Sequence, residues 1–249
     1  MKSAVHHLAE TAPAWFSVES LNSDFLIGYA RVPKTPWILN GLHLHIYGSE
    51  VPRVREVVPG TDLPRRCPER HIQGDKTFCL GLRYLTVQSA EKAWQWWVQL
   101  YQFLRCQGVA ELTQVWPVKQ ALDHGDAGKH HERALALALE AGVEEEYASA
   151  RLGEPSWLTD PKMHLFDKQG RPINGRAPCP RGCKRRARGR LVRTLRKACD
   201  KRQLLVELAY TEHLRRKALD QYWQHVFLSG DKCCRSMRGC PLAAHEDRG

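Results

Sequence analysis

The 249 residues contain no apolar run approaching the roughly 20 that a helix needs to cross a bilayer, which excludes a helical membrane span. The opening residues, Met1-Lys2-Ser3-Ala4-Val5-His6-His7, lack the apolar core of a secretory signal. Together these absences lead us to expect a cytoplasmic protein. Acidic residues are scarce in the last third: residues 160–249 carry 22 Lys/Arg against 9 Asp/Glu, whereas residues 1–159 carry 16 against 18. The net charge of +11 therefore belongs to one module, whose surface suits acidic partners. Aromatics are missing from its densest stretch, eleven Lys/Arg between Arg181 and Arg202. That argues against base-stacking recognition and leaves three readings: a solvated face, a track for nucleic-acid phosphates, or a seat for an acidic protein.

The nine cysteines are odd in number and unevenly placed. Cys67, Cys79 and Cys106 are scattered, while Cys179, Cys183, Cys199, Cys233, Cys234 and Cys240 crowd the C-terminal third. In a reducing compartment such crowding points to metal ligands before disulfides. Cys179-Pro180-Arg181-Gly182-Cys183 turns the backbone so that two sulfurs can reach one ion, and Cys234 with Cys240 supplies a second pair, Cys233 being an alternative to Cys234. A zinc ion on Cys179, Cys183, Cys234 and Cys240 would staple a module too small to be comfortably stable alone. Reduced, unliganded thiols are the alternative. Apolar residues at mostly helical spacing from Leu191 to Val226 predict a long helical region between the pairs, with Cys199 at a core helix position.

Upstream, Phe25–Val32 reads as a strand, and Leu42-His43-Leu44-His45-Ile46-Tyr47 alternates cleanly. His43 and His45 share one face of that strand. A third ligand is missing nearby, so we expect a hydrogen-bonded sheet face rather than a metal site. Residues 89–106 predict the strongest helix, with Trp94 and Trp97 in the core, Trp96 nearer the edge, and Gly108 capping or interrupting it. His124-Gly125-Asp126-Ala127-Gly128 then makes a tight turn before a helix starting near His131, whose positive end could stabilise a developing negative charge, or simply connect elements. Helices follow over 134–141 and 144–152. Gly and Pro punctuate residues 153–178, the candidate linker between a domain at 1–152 and the basic cysteine module at 179–249.

In residues 67–83 a histidine, His71, sits eight positions before a cysteine, Cys79, with Gly74-Asp75 between them. Turn chemistry lets the two face one another across a tight loop. A loop-edge thiol near His71 and Arg70 suits a nucleophile, while a small buried hydrophobe is the structural alternative. The order His71, short turn, Phe78-Cys79-Leu80-Gly81-Leu82, then a Trp-rich amphipathic helix resembles the active-site segment of ubiquitin-conjugating enzymes. It is similar above all to the divergent bacterial members of defence operons. In that family a His-Pro-Asn element precedes a Cys-Leu nucleophile. Here His71-Ile72-Gln73 stands in its place, without the proline, with Gln73 where asparagine would be, and about a turn closer to the cysteine.

The resemblance covers residues 25–150 and implies an α+β fold, a UBC-like antiparallel meander with packed helices, ahead of a small helical cysteine-rich domain. It implies an acyltransferase that takes a ubiquitin-like protein as a thioester on Cys79 from a ubiquitin-activating-like enzyme and passes it on, in antiviral defence. A JAB-type peptidase would be a further partner. Cys79 would be the nucleophile, His71 and Gln73 the positioning and oxyanion residues, and His124 a further candidate from its glycine-rich turn. A different reading is a non-catalytic, zinc-stabilised binding protein that grips nucleic acid or an acidic partner through its basic module.

Overall fold

A computed structural model describes residues 2–81, 84–117, 120, 123–160, 166–167, 169, 179–180, 184–187, 190–193 and 199–246. It divides into two units, one of Met1–Ala121 with Phe227–Gly249 and one of Leu122–Val226. The expected linker at 153–178 lies inside the second unit's bounds, mostly outside the described residues.

In the first unit a short helix α1 (Ala4–Glu10) precedes four strands: β1 (Phe16–Leu21), β2 (Phe25–Ala30), β3 (Leu42–Tyr47) and β4 (Arg53–Glu56). They pair antiparallel in chain order, a simple meander. Alternation sets the faces. Leu42, Leu44 and Ile46 are fully buried with Leu26, Ala30 and Val54 beside them, and His43 and His45 lie on the other face. That outer face is satisfied by side chains: His43 Nε2 meets Glu19 Oε2 at 2.7 Å and stacks on Tyr29, while His45 stacks on Tyr47. Gly28 is required in β2, because a Cβ there would lie 2.3 Å from the Ser17 carbonyl oxygen and against the Phe16 ring.

Helix α2 (Ala90–Thr113) closes the core, opened by Ser89, whose hydroxyl accepts the Lys92 N–H. Its buried stripe is Ala93, Trp96, Trp97, Leu100, Phe103, Leu104 and Gln107. The expectation for the tryptophans is corrected: Trp96 is 2% exposed and Trp94 56%. Both flanks of the Ala93–Trp97–Leu100–Leu104 line carry apolar residues, so spacing cannot choose between them. The hydrogen-bond partners decide, with the Trp96 indole N–H donating to the Pro52 carbonyl and that of Trp97 to Leu8. Gly108 neither caps nor interrupts the helix. It is a contact point, where a Cβ would sit 2.9 Å from Thr35 Cγ2, and Gln114 in the left-handed region forms the actual end.

The second unit holds α3 (Ala127–Ala141), α4 (Glu144–Arg151), a hairpin of β5 (Lys184–Ala187) and β6 (Arg190–Arg193), and most of α5 (Arg202–Leu228). The hairpin corrects the expected continuous helix: Leu191 and Val192 lie in a strand, and four-residue strands are too short to reveal their period. Cys199 precedes α5 rather than occupying a core helix position. Leu137, Ala138, Tyr147, Leu205, Leu208 and Cys179 pack into one apolar cluster. The last helix, α6 (Pro241–Glu246), returns to the first unit. Among the described residues no helix is long and apolar enough to cross a membrane.

Candidate active site

Everything near Cys79 is set by how the chain leaves Cys67. Pro68–Arg70 form one 3-10 turn, closed by His71 in the left-handed region at φ 54°. The chain then folds back so that Cys67 bridges Ile72, and Ile72 bridges Phe78. Gln73 and Thr77 close the inner turn, with Gln73 N–H on the Thr77 carbonyl at 2.9 Å and Lys76 N–H on the Gln73 carbonyl at 3.0 Å. Asp75 stabilises it by accepting both the Thr77 hydroxyl at 2.6 Å and its N–H at 3.0 Å. Burial works against the Asp75 carboxylate, but those bonds and Arg53 hold its pKa below the usual range.

This turn puts His71 and Cys79 directly opposite, the Cys79 N–H donating to the His71 carbonyl at 2.8 Å. The loop is pinned from two further sides. Phe78 donates its N–H to the Val54 carbonyl of β4 and stacks on Phe103 of α2 with ring centroids 4.9 Å apart. Arg70, 1% exposed, is an anchor that sequence reasoning placed beside the thiol. Its Nε donates to Gln107 Oε1 and its Nη1 to Glu111 Oε2, both at 2.8 Å, and Gln107 Nε2 donates back to the Arg70 carbonyl at 2.6 Å. The guanidinium is thus committed to α2. A glutamine on the buried face of an otherwise apolar helix was the signal for this clamp.

Cys79 itself is half-buried. Its Sγ lies 3.8 Å from the Gly81 carbonyl and lines a cleft with Gln73, Leu80, Tyr84, Leu85 and Gln99. Gln73 is therefore in the same cleft as the thiol, its side-chain amide 3.4 Å from the Thr77 hydroxyl oxygen, whose proton goes to Asp75. The His71 ring packs on Trp116, centroids 4.8 Å apart.

His124 belongs to the second unit. It stacks on Tyr222 of α5, centroids 4.9 Å apart, with Trp223 at its edge, and burial pulls its pKa down to about 4. The helix after it starts at Ala127, so His131 lies one turn inside and is buried. His131 Nδ1 meets Asp123 Oδ2 at 3.1 Å, and Arg215 bonds Asp123 at 2.7 Å and Glu212 at 2.6 Å. Burial opposes the Asp123 charge, yet His131 and Arg215 hold its pKa down to about 2. Folded Asp123 thus binds its proton below the pKa of the unfolded chain. The stability it contributes is complete above about pH 4 and lost as pH falls through about 2. We expect about 2 kcal/mol of the acid-induced loss to disappear in Asp123→Asn, read from urea unfolding between pH 5 and pH 2.

Of the four expected metal ligands, Cys179 lies in the second unit's apolar cluster and Cys183 lies outside the described residues. Cys234 and Cys240 lie in the first unit. No disulfide links the described cysteines.

Comparison with known families matches residues 15–118 to the family described as Prokaryotic E2 domain and residues 123–242 to that described as Cysteine-rich domain, C-terminal to E2 domain. No curated protein and no solved structure matches the chain. The match supports a ubiquitin-conjugation-like role for the sheet-and-helix domain, and a cysteine-rich domain is compatible with metal binding.

Proposed function

The chain belongs among prokaryotic E2 proteins that carry a cysteine-rich domain behind the E2 domain, and on that premise we propose that Cys79 carries a ubiquitin-like protein as a thioester. The Cys79 thiolate attacks the thioester carbonyl on the activating enzyme. The new S–C bond forms as the old one breaks, and the activating enzyme's thiolate leaves. An acceptor nucleophile such as an amine then attacks the same carbonyl, the Cys79 S–C bond breaks, and a proton from the amine restores the thiol. The adenylating ATP is spent by the activating enzyme, so this chain needs no diffusible cofactor for the transfer.

The observation that carries this reading is the position of Cys79. It is neither sealed in the core nor loose on a tail, but sits on a loop pinned to β4 and α2 and opens into a cleft. An extended tail laid along Leu80, Tyr84 and Leu85 would reach the sulfur. Gln73, which lines the cleft, takes the oxyanion role, and His71, whose ring packs on Trp116, takes the positioning role. Zinc in the cysteine-rich segment is structural in this reading, and defence is its setting.

Incubating the chain with an activating enzyme, ATP and the ubiquitin-like partner should give an adduct that reductant cleaves and that Cys79→Ala lacks. An adduct that persists in Cys79→Ala would end the proposal.

A further inference from the structure

Four sulfurs from two distant stretches of the chain meet in the first unit. Cys67 stands at the entry to the active-site loop, Cys233 and Cys234 lie between α5 and α6, and Cys240 immediately precedes α6. The Cys67 sulfur lies beside that of Cys234, and that of Cys233 beside Cys240, with Cys240 also near Cys67. The Arg66–Asp231 ion pair, one residue from Cys67 and two from Cys233, holds the two stretches together. Cys233 Sγ accepts the N–H of Arg235 at 3.3 Å. Cys234 Sγ lies 3.0 Å from the Ser236 hydroxyl, and Cys67 and Cys240 are both buried.

Arg235 at φ 59° and Gly239 at φ 66° provide the left-handed turns of the second stretch. An all-sulfur donor set selects a soft, tetrahedral ion, with zinc foremost. Among the described residues no three donors already stand as ligands around one point; the sulfurs are paired two and two. The Arg238 N–H donates to the Gln114 carbonyl at 2.8 Å.

We infer that Cys67, Cys233, Cys234 and Cys240 form a four-thiolate zinc site that ties the segment after α5 to the root of the Cys79 loop. The set keeps Cys234 and Cys240 from the sequence expectation and takes Cys67 and Cys233 in place of Cys179 and Cys183. The cysteine-rich segment thereby serves the first unit, fixing the start of the loop from which His71, Gln73 and Cys79 follow. The metal site is read from its own donors and does not depend on the thioester proposal.

The test uses the full chain and reads metal, not activity. Zinc content should be one ion per chain, and cobalt in its place should show the intense visible absorption of a tetrahedral thiolate complex. Pulsed alkylation with peptide mapping should find Cys67, Cys233, Cys234 and Cys240 protected until a chelator is added. Cys67→Ser should lose at least 10-fold in zinc affinity, and Cys179→Ser should keep the wild-type value. The wild-type alkylation pattern stands as the check if Cys67→Ser does not fold. Absence of bound zinc, full affinity in Cys67→Ser, or chelator-dependent protection of Cys179 and Cys183 instead would overturn the site.

Discussion

Gln73→Ala is expected to slow discharge of the Cys79 thioester to an amine by about 10²–10³-fold while leaving its formation nearly intact. The asymmetry follows from chemistry. Thiolate and amine attack both build negative charge on the carbonyl oxygen. Thiol exchange, however, is nearly thermoneutral with a strong nucleophile, whereas a neutral amine attacks more slowly, so losing a donor aimed at that oxygen slows mainly discharge. Gln73 lines the cleft with Cys79 and its side-chain amide packs beside Thr77 on the turn that carries the thiol, where such a donor is required. Single-turnover discharge of the pre-charged chain measures the effect. Equal losses in charging and discharge would instead mean that Gln73 supports only the loop. Gln73→Asn keeps the amide on a shorter arm and should recover part of the rate.

The second large effect is on stability. Arg70→Ala should destabilise the first unit by about 2–3 kcal/mol, chiefly by stranding buried Gln107, since Glu111 is 43% exposed and returns to water. Arg70 is 1% exposed and Gln107 0%, so removing the guanidinium leaves the Gln107 oxygen without the donor it has now. Arg70→Lys should be nearly as harmful, because an ammonium cannot reproduce the planar fork that holds Gln107 and Glu111 together. Urea unfolding of both variants gives the number. A loss under 1 kcal/mol in Arg70→Ala would show that the loop is held by its backbone bridges alone.

Local patterns carried much of this architecture. The alternation in Leu42–Tyr47 located β3 and correctly assigned His43 and His45 to the outer face, because a strand's period of two needs only a few residues to declare itself. Gly74-Asp75 gave the turn that opposes His71 and Cys79. What failed was long-range or ambiguous. Trp94 and Trp96 flank the same helical line, and only partners far along the chain, Pro52 among them, select the buried one. The basic hairpin over 184–193 was hidden by its brevity. The meeting of Cys67 with Cys234 joins positions too far apart in sequence for any spacing rule to pair them. Arg70 illustrates the same limit at the site: its charge was legible, its commitment to Gln107 and Glu111 was not.

The most direct test is to locate the cargo. Charged wild-type chain, digested without reductant, should yield one branched peptide with the ubiquitin-like protein's C-terminal glycine on the Cys79 sulfur. Cys79 should be the thiol that escapes alkylation on charging. Cargo on any other cysteine, with Cys79 still open to alkylation, would contradict the account.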